Sequence, residues 1–259
     1  MRGYLEQNQF YKRQRNFRIK IYLYFLAIFL VLIGIFYIIF FSPIFKVRGF
    51  KISGQNRLSN DSVLKILEPL VLNSWLLDFL GKENLLTWSR QDLNLSGTSV
   101  LSAKIHRDWI RQVVLIDIKE RIPLGIWCGK TESCYWLDED GIAFEEAPET
   151  EGSLILIVYD NSAKSAALGE KVVEERFSKN LTDILKAISK MSIPVKKSTF
   201  DKTLQELHIA TYEGPDLFFS IRFNPELNLA SLRSLKEKGT LGGMQYIDLR
   251  IENKIFYKL

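Results

Sequence analysis

Apolar and polar positions divide the chain sharply near its start. No residue in 21–45 carries a charge, and 21–41 is almost entirely Ile, Leu, Phe, Val and Tyr. At about 1.5 Å per residue, a helix over 21–41 is about 30 Å long, the thickness of bilayer hydrocarbon, so the pattern predicts a transmembrane helix. Tyr22, Tyr24 and Tyr37 suit interfacial positions, and Pro43 after Ser42 supplies a stop. Two rivals pass a similar test. A buried core helix rarely runs so far without a polar face, and a cleaved signal peptide has a shorter apolar run with a small-x-small exit, where this chain reads Phe41-Ser42-Pro43-Ile44-Phe45.

Beyond the anchor the periods are shorter. Residues 45–54 are β-prone and broken by glycines. Ser59-Asn60-Asp61-Ser62 offers N-cap residues ahead of Val63, Leu64 and Leu67, predicting a short helix closed by Pro69. A second helix is expected within 82–95. Residues 99–119 turn strand-like: every second residue from Val114 is aliphatic, while Asp117 and Lys119 face the other way. The order is strand, helix, helix, strand, strand.

The remainder predicts a second domain with a mixed sheet and a few helices. Residues 154–159 read as a buried strand. Phe177, Leu181, Ile184, Leu185 and Ile188 make one apolar stripe on a helix, with Lys179, Asp183, Lys186 and Lys190 opposite. Asn224 caps and Pro225 opens another helix, which Gly239 stops after Lys236 and Lys238. Strand-like runs follow at 204–212, 217–223, 246–251 and 254–258.

Charge changes the picture once it is located. The net charge of +5 over 259 residues suggests nucleic-acid binding. Yet Arg2, Lys12, Arg13, Arg15, Arg18 and Lys20 against Glu6 account for all of it, and residues 21–259 are neutral. A basic nucleic-acid face over the folded part is therefore not expected. Lys46, Arg48, Lys51 and Arg57 lie just beyond the apolar stretch, but a short basic tail favours retention inside. The expected topology is a cytoplasmic tail at 1–20, one span at 21–41, and the rest outside. With 47% hydrophobic and 25% charged residues, wholesale disorder is excluded.

Candidate chemistry is sparse. Cys128 and Cys134 flank a plausible hairpin turn, which leaves both a disulfide and two free thiols open. No metal site is expected, since His106 and His208 are the only histidines and no second cysteine pair exists. Asp138-Glu139-Asp140-Gly141 is faintly like a calcium loop, but Ile142 and Ala143 fall where a ligand and the turn glycine are needed, so a hairpin turn is expected. No Walker loop, nucleophile elbow, His-Glu-x-x-His or dinucleotide fingerprint occurs. His106 and His208, each within a strand pattern, read as structural or surface residues.

Residues 47–67, VRGFKISGQNRLSNDSVLKIL, and 104–127, KIHRDWIRQVVLIDIKERIPLGIW, resemble the bacterial cell-division family FtsQ/DivIB. The matching positions are Gly54 and Asn56 in the first turn, Arg107 and Trp109 in an Arg-x-Trp-Pro turn, and Glu120, Arg121 and Pro123 in a Glu-Arg-x-Pro exit. Asp138, Gly141 and Phe144 match a later hairpin, and YIDLRIENKIFYK at 246–258 is similar to the family's near-terminal strands. The chain departs from the pattern at Ile110, where the turn commonly has Pro, in having Cys128 and Cys134, and in stopping almost directly after the last strand.

The resemblance implies an α+β fold class: a single transmembrane helix, a small POTRA domain (β-α-α-β-β) over 45–119, and a mixed α/β domain on a mainly antiparallel sheet over 120–259. It implies a non-enzymatic divisome scaffold, linking early cytoplasmic and late septal division proteins. The partners would be FtsB/DivIC-like and FtsL-like proteins, bound by β-strand addition. Matched partner-binding positions are Ile251, Asn253, Lys254 and Phe256, with Asp248 and Arg250 supporting the turn. No cofactor, nucleic acid or small-molecule substrate is expected. The implied location is the inner membrane at the division septum. The alternative is a membrane-anchored POTRA protein in envelope assembly or transport, where such domains usually come in tandem ahead of a barrel.

Overall fold

The computed structural model describes residues 2–72, 80–88, 93–130, 133–148, 155–162 and 166–259, with no account of the side chains of 2–18 and 41. Helix α1 spans Arg2–Phe41, and within it Ile19–Phe40 is long and apolar enough to cross a membrane. None of that segment is buried in the protein, which removes the core-helix alternative. Pro43, lacking an N–H, follows the last turn, and Ser42 caps a short 3-10 turn at Pro43–Phe45 by accepting the Ile44 N–H at 3.3 Å.

The chain divides by contact into two compact units, Met1–Ser53 with Leu67–Leu93 and Lys104–Asp117, and Gly54–Ile66 with Asn94–Ala103 and Ile118–Leu259. Its described strands form two sheets. The smaller contains β1 (Gly49–Ser53), β2 (Val100–Asp108) and β3 (Val113–Glu120) in the order β1-β3-β2. β1 runs parallel to β3, pairing Gly49 with Val113 through Ser53 with Asp117. β2 and β3 are joined by a reversal too short for a parallel crossover and are therefore antiparallel. The alternation in β3 is as expected: Val114, Ile116 and Ile118 are buried while Leu115, Asp117 and Lys119 are exposed.

Between β1 and β2 lies α2 (Asn60–Val71). The Ser59 hydroxyl accepts the Ser62 N–H at 3.1 Å, and Val63, Leu67 and Val71 make one buried stripe. Pro69 does not close this helix. It removes one N–H donor inside the last turn, yet Leu72 N–H still reaches the Glu68 carbonyl at 2.9 Å, so the turn completes. The second helix expected within 82–95 is also absent from 82–88, which form turns. Here the Asn84 side chain accepts the Leu86 N–H at 2.9 Å and Thr87 Oγ1 donates to the Asn84 carbonyl at 2.6 Å, local bonds that compete with a helical ladder. Residues 89–92, like 131–132 of the cysteine turn and Leu154 of the expected 154–159 strand, lie outside the described residues.

The larger sheet is built from β4 (Pro123–Cys128), β5 (Cys134–Asp138), β6 (Ala143–Glu146), β7 (Ile157–Asp160), β8 (Val195–Asp201), β9 (Glu206–Thr211), β10 (Asp216–Ser220), β11 (Tyr246–Ile251) and β12 (Lys254–Lys258). Their order is β12-β11-β10-β9-β8-β7-β4-β5-β6. Pairs β4/β7, β7/β8 and β10/β11 are parallel and the other five are antiparallel. Helix α3 (Glu175–Lys190) follows β7, and α4 (Glu226–Glu237) follows β10. The expected stripe of α3 packs Leu181, Ile184, Leu185 and Ile188 into a core with Trp127, Phe200, Phe219 and Leu249. The Asn224 side chain accepts the Glu226 N–H at 3.0 Å, and Gly239 takes a φ of +70° just beyond the end of α4. The protein is thus α+β, with one N-terminal apolar helix and a sheet-rich body.

Candidate partner-binding edge

β11 and β12 form a hairpin with a two-residue turn, Glu252-Asn253, bringing Ile251 opposite Lys254. Asn253 adopts φ 59°, the left-handed region that asparagine tolerates better than most residues. The register shifts between Asp248 and Ile251, so Asp248 faces Phe256, Ile247 faces Tyr257 and Tyr246 faces Lys258. β12 is the terminal strand of its sheet, paired to β11 alone among the described strands. Its outer N–H and C=O groups offer a ladder to a further strand.

Alternation gives this strand two working faces. Ile255 and Tyr257 point toward α4, where with Asn253 and the helix residues Leu227, Ser231 and Leu235 they line an open groove of about 710 Å³. Phe256, directly opposite Asp248, lies on the other face. The strand is apolar and uncovered: Phe256 is 50% and Tyr257 55% exposed.

Behind Phe256, Arg250 organises the sheet face. Its Nε and Nη2 contact the Asp248 carboxylate at 2.9 and 2.6 Å, and Nη1 reaches Glu206 on β9 at 3.0 Å. The guanidinium also sits 5.2 Å from the Phe218 ring centre. The hydrogen bond from Arg250 holds the Asp248 carboxyl below its ordinary pKa, against the opposing effect of burial. Asp248 in turn, with Glu206, holds Arg250 more firmly protonated. Lys254 and Lys258 stay exposed at the two ends of β12.

The structure brings Ile251, Asn253, Lys254 and Phe256 onto one hairpin, whose first strand also carries Asp248 and Arg250. Sequence reasoning missed Ile255, Tyr257 and the α4 groove. The alternation of β12 marks Ile255 and Tyr257 as a second face, but nothing local indicates that α4 borders it. Cys128 and Cys134 are bonded, as directly opposed residues of β4 and β5. His208 Nε2 lies 3.2 Å from Asp216 and its ring stacks on Phe218, while His106 is exposed on β2. No protein-family model matches the chain, and no curated protein matches it.

Proposed function

We propose that the protein is a non-enzymatic scaffold of the bacterial division machinery, of the FtsQ/DivIB type suggested by its motifs. In this reading α1 crosses the inner membrane with the N-terminus in the cytoplasm, and the sheet-rich body works outside at the septum. The order β1, α2, β2, β3 in a three-stranded sheet is compatible with a POTRA domain, and the larger sheet supplies the binding module.

The observation that carries the proposal is the uncovered edge of β12 beside the α4 groove. An FtsB/DivIC-like partner, accompanied by an FtsL-like protein, adds a strand to that edge. Main-chain hydrogen bonds give affinity, and pockets for alternate side chains give specificity. Phe256→Asp places a charge on the exposed face without touching the core. It should abolish co-purification of the FtsB-like partner while leaving the chain folded, with the Tm lowered only modestly by the like charge of Asp248 opposite, whereas normal capture by a folded variant would refute the edge-strand reading. Depletion in the host should give filaments with regularly spaced nucleoids, and a rescuing labelled copy should collect at mid-cell. Normal division with a uniform membrane label would remove the division role.

A further inference from the structure

We propose that the β2–β3 turn is a second membrane contact, which seats Trp109 and Ile110 in the lipid interface beside the exit of α1. The proposal rests on the reading that α1 crosses a membrane. Ile110 is 95% exposed, an apolar side chain held wholly outside the fold. It is not held there loosely. The Asp108 carboxylate accepts the N–H of Ile110 at 3.1 Å and of Arg111 at 2.9 Å, fixing the turn. Trp109, itself exposed, has the Arg107 guanidinium 5.0 Å from its ring centre and packs perpendicular to Phe45, with ring centres 6.0 Å apart.

Position relative to α1 identifies the occupant. The Gln112 side-chain amide donates to the carbonyls of Pro43 and Ile44, the latter at 3.0 Å, and the Arg48 N–H returns to the Gln112 carbonyl at 2.8 Å. The turn is thereby fastened to the first residues after the helix. A second loop reaches further back: Asn84 Nδ2 donates to the Ile39 carbonyl, inside the apolar segment, at 3.2 Å. These contacts hold the turn beside the end of the apolar segment, and Ile44, in the bonded exit, is exposed as Trp109 and Ile110 are. Arg107 lies over Trp109, Arg111 pairs with Asp108 at 3.9 Å, and exposed Lys46 and Arg48 lie on the helix exit bonded to this turn, against exposed Glu83, whose carbonyl accepts the Val47 N–H. An exposed indole under an arginine, next to a fully exposed isoleucine and bonded to the end of an apolar helix, matches the bilayer interface, where the ring sits at headgroup level and the cation meets phosphate.

The test uses the full chain in phosphatidylcholine vesicles, with and without phosphatidylglycerol. Because Cys128 and Cys134 are bonded, Ile110→Cys and Val31→Cys each present one thiol for an NBD fluorophore. Nitroxide-labelled lipid should quench the labels at 31 and 110 several-fold relative to the same samples with unlabelled lipid. Quenching at 31 with a bright, water-like label at 110 would overturn the proposal while keeping the span. No quenching at 31 would overturn the span and the proposal together. A second measurement guards against insertion driven by the fluorophore: the emission removed by Trp109→Phe in unlabelled protein should be quenched by brominated lipid, and insensitivity to it would also overturn the proposal.

Discussion

Arg121 and Asp138, seventeen residues apart, form a buried ion pair with side chains only 5% and 4% exposed. Both side chains make further hydrogen bonds. Arg121 Nε donates to the Thr98 carbonyl at 3.0 Å, and Asp138 Oδ1 accepts the N–H of Asp140 at 3.0 Å and of Ile142 at 2.8 Å. The pair ties the entry of β4 to the β5–β6 turn. It also explains why the acidic run at 138–140 is a turn: its first carboxylate is occupied by an arginine and two backbone amides.

Removing one partner strands the other charge in the interior. Arg121→Met should destabilise the chain by about 3–5 kcal/mol, and Arg121→Met with Asp138→Leu should recover part of that loss. Urea unfolding of the full chain in detergent measures both. A single-variant loss below about 1 kcal/mol would mean that Asp138 finds another partner for its charge.

Glu120 predicts acid sensitivity. Burial acts to raise its pKa, but N–H groups of Leu58, Arg57 and Asn56 at 2.9, 3.0 and 2.7 Å, with the charge of Arg57, outweigh burial and lower it. A carboxyl whose folded pKa lies below its unfolded value stabilises the fold at neutral pH. That stabilisation declines as the pH falls below about 4.3, the ordinary glutamate value, and is gone below the folded pKa. Glu120→Gln should flatten the acid limb of a stability-against-pH curve, and Glu120→Ala should cost about 2–4 kcal/mol at neutral pH by leaving three amides without their acceptor. An unchanged acid limb in the glutamine variant would assign that sensitivity elsewhere, Asp248 being the next candidate of the same sign.

The Cys128–Cys134 bond closes a short loop, with a sequence separation of 6. Chain entropy for a loop this small gives about 2 kcal/mol, several degrees in Tm. Reduction should therefore lower the Tm modestly without unfolding the protein. Five strands separate β4 from β12, so partner capture by the edge should survive reduction. Calorimetry with and without reductant, beside a pull-down, checks both expectations.

Gly125 is needed for close approach. A Cβ there would lie 2.6 Å from the Leu156 carbonyl oxygen, which accepts the Ile126 N–H at 2.9 Å beside the β4/β7 pairing. Gly125→Ala should cost about 1–3 kcal/mol by forcing backbone apart. Gly49→Ala in β1, which meets open space, is the comparison and should stay within about 0.5 kcal/mol of the parent.

Much of the architecture was legible because one face of an element dominates its pattern. The stripe of α3 and the limits of β11 and β12 follow directly from 3.6- and 2-residue periods. β8 escaped because Lys196, Lys197, Ser198 and Thr199 look like a loop, yet it lies between β7 and β9 with Ser198 fully buried and bonded to the Ile157 carbonyl. The turns at 82–88 escaped because a single asparagine side chain, not a hydrophobic period, decides them. At the candidate site the hairpin residues were visible as a local motif, whereas the groove against α4 depends on tertiary placement. Glu120 and Asn56 likewise stood out as separate motifs, but only the fold shows them bonded across 64 residues.

The exit of α1 has a mechanical consequence. Only Ser42 stands between Phe41 and the Pro43–Phe45 turn, and that turn is bonded to Gln112, while Leu85 N–H holds the Phe45 carbonyl at 2.7 Å. A joint so short and so often bonded lacks the slack of a flexible linker. The 40-residue helix, about 60 Å long, is then a lever arm rather than a tether. If α1 crosses a bilayer as proposed, a change of helix tilt, such as accompanies a change in bilayer thickness, swings β1 with it instead of being absorbed at the hinge.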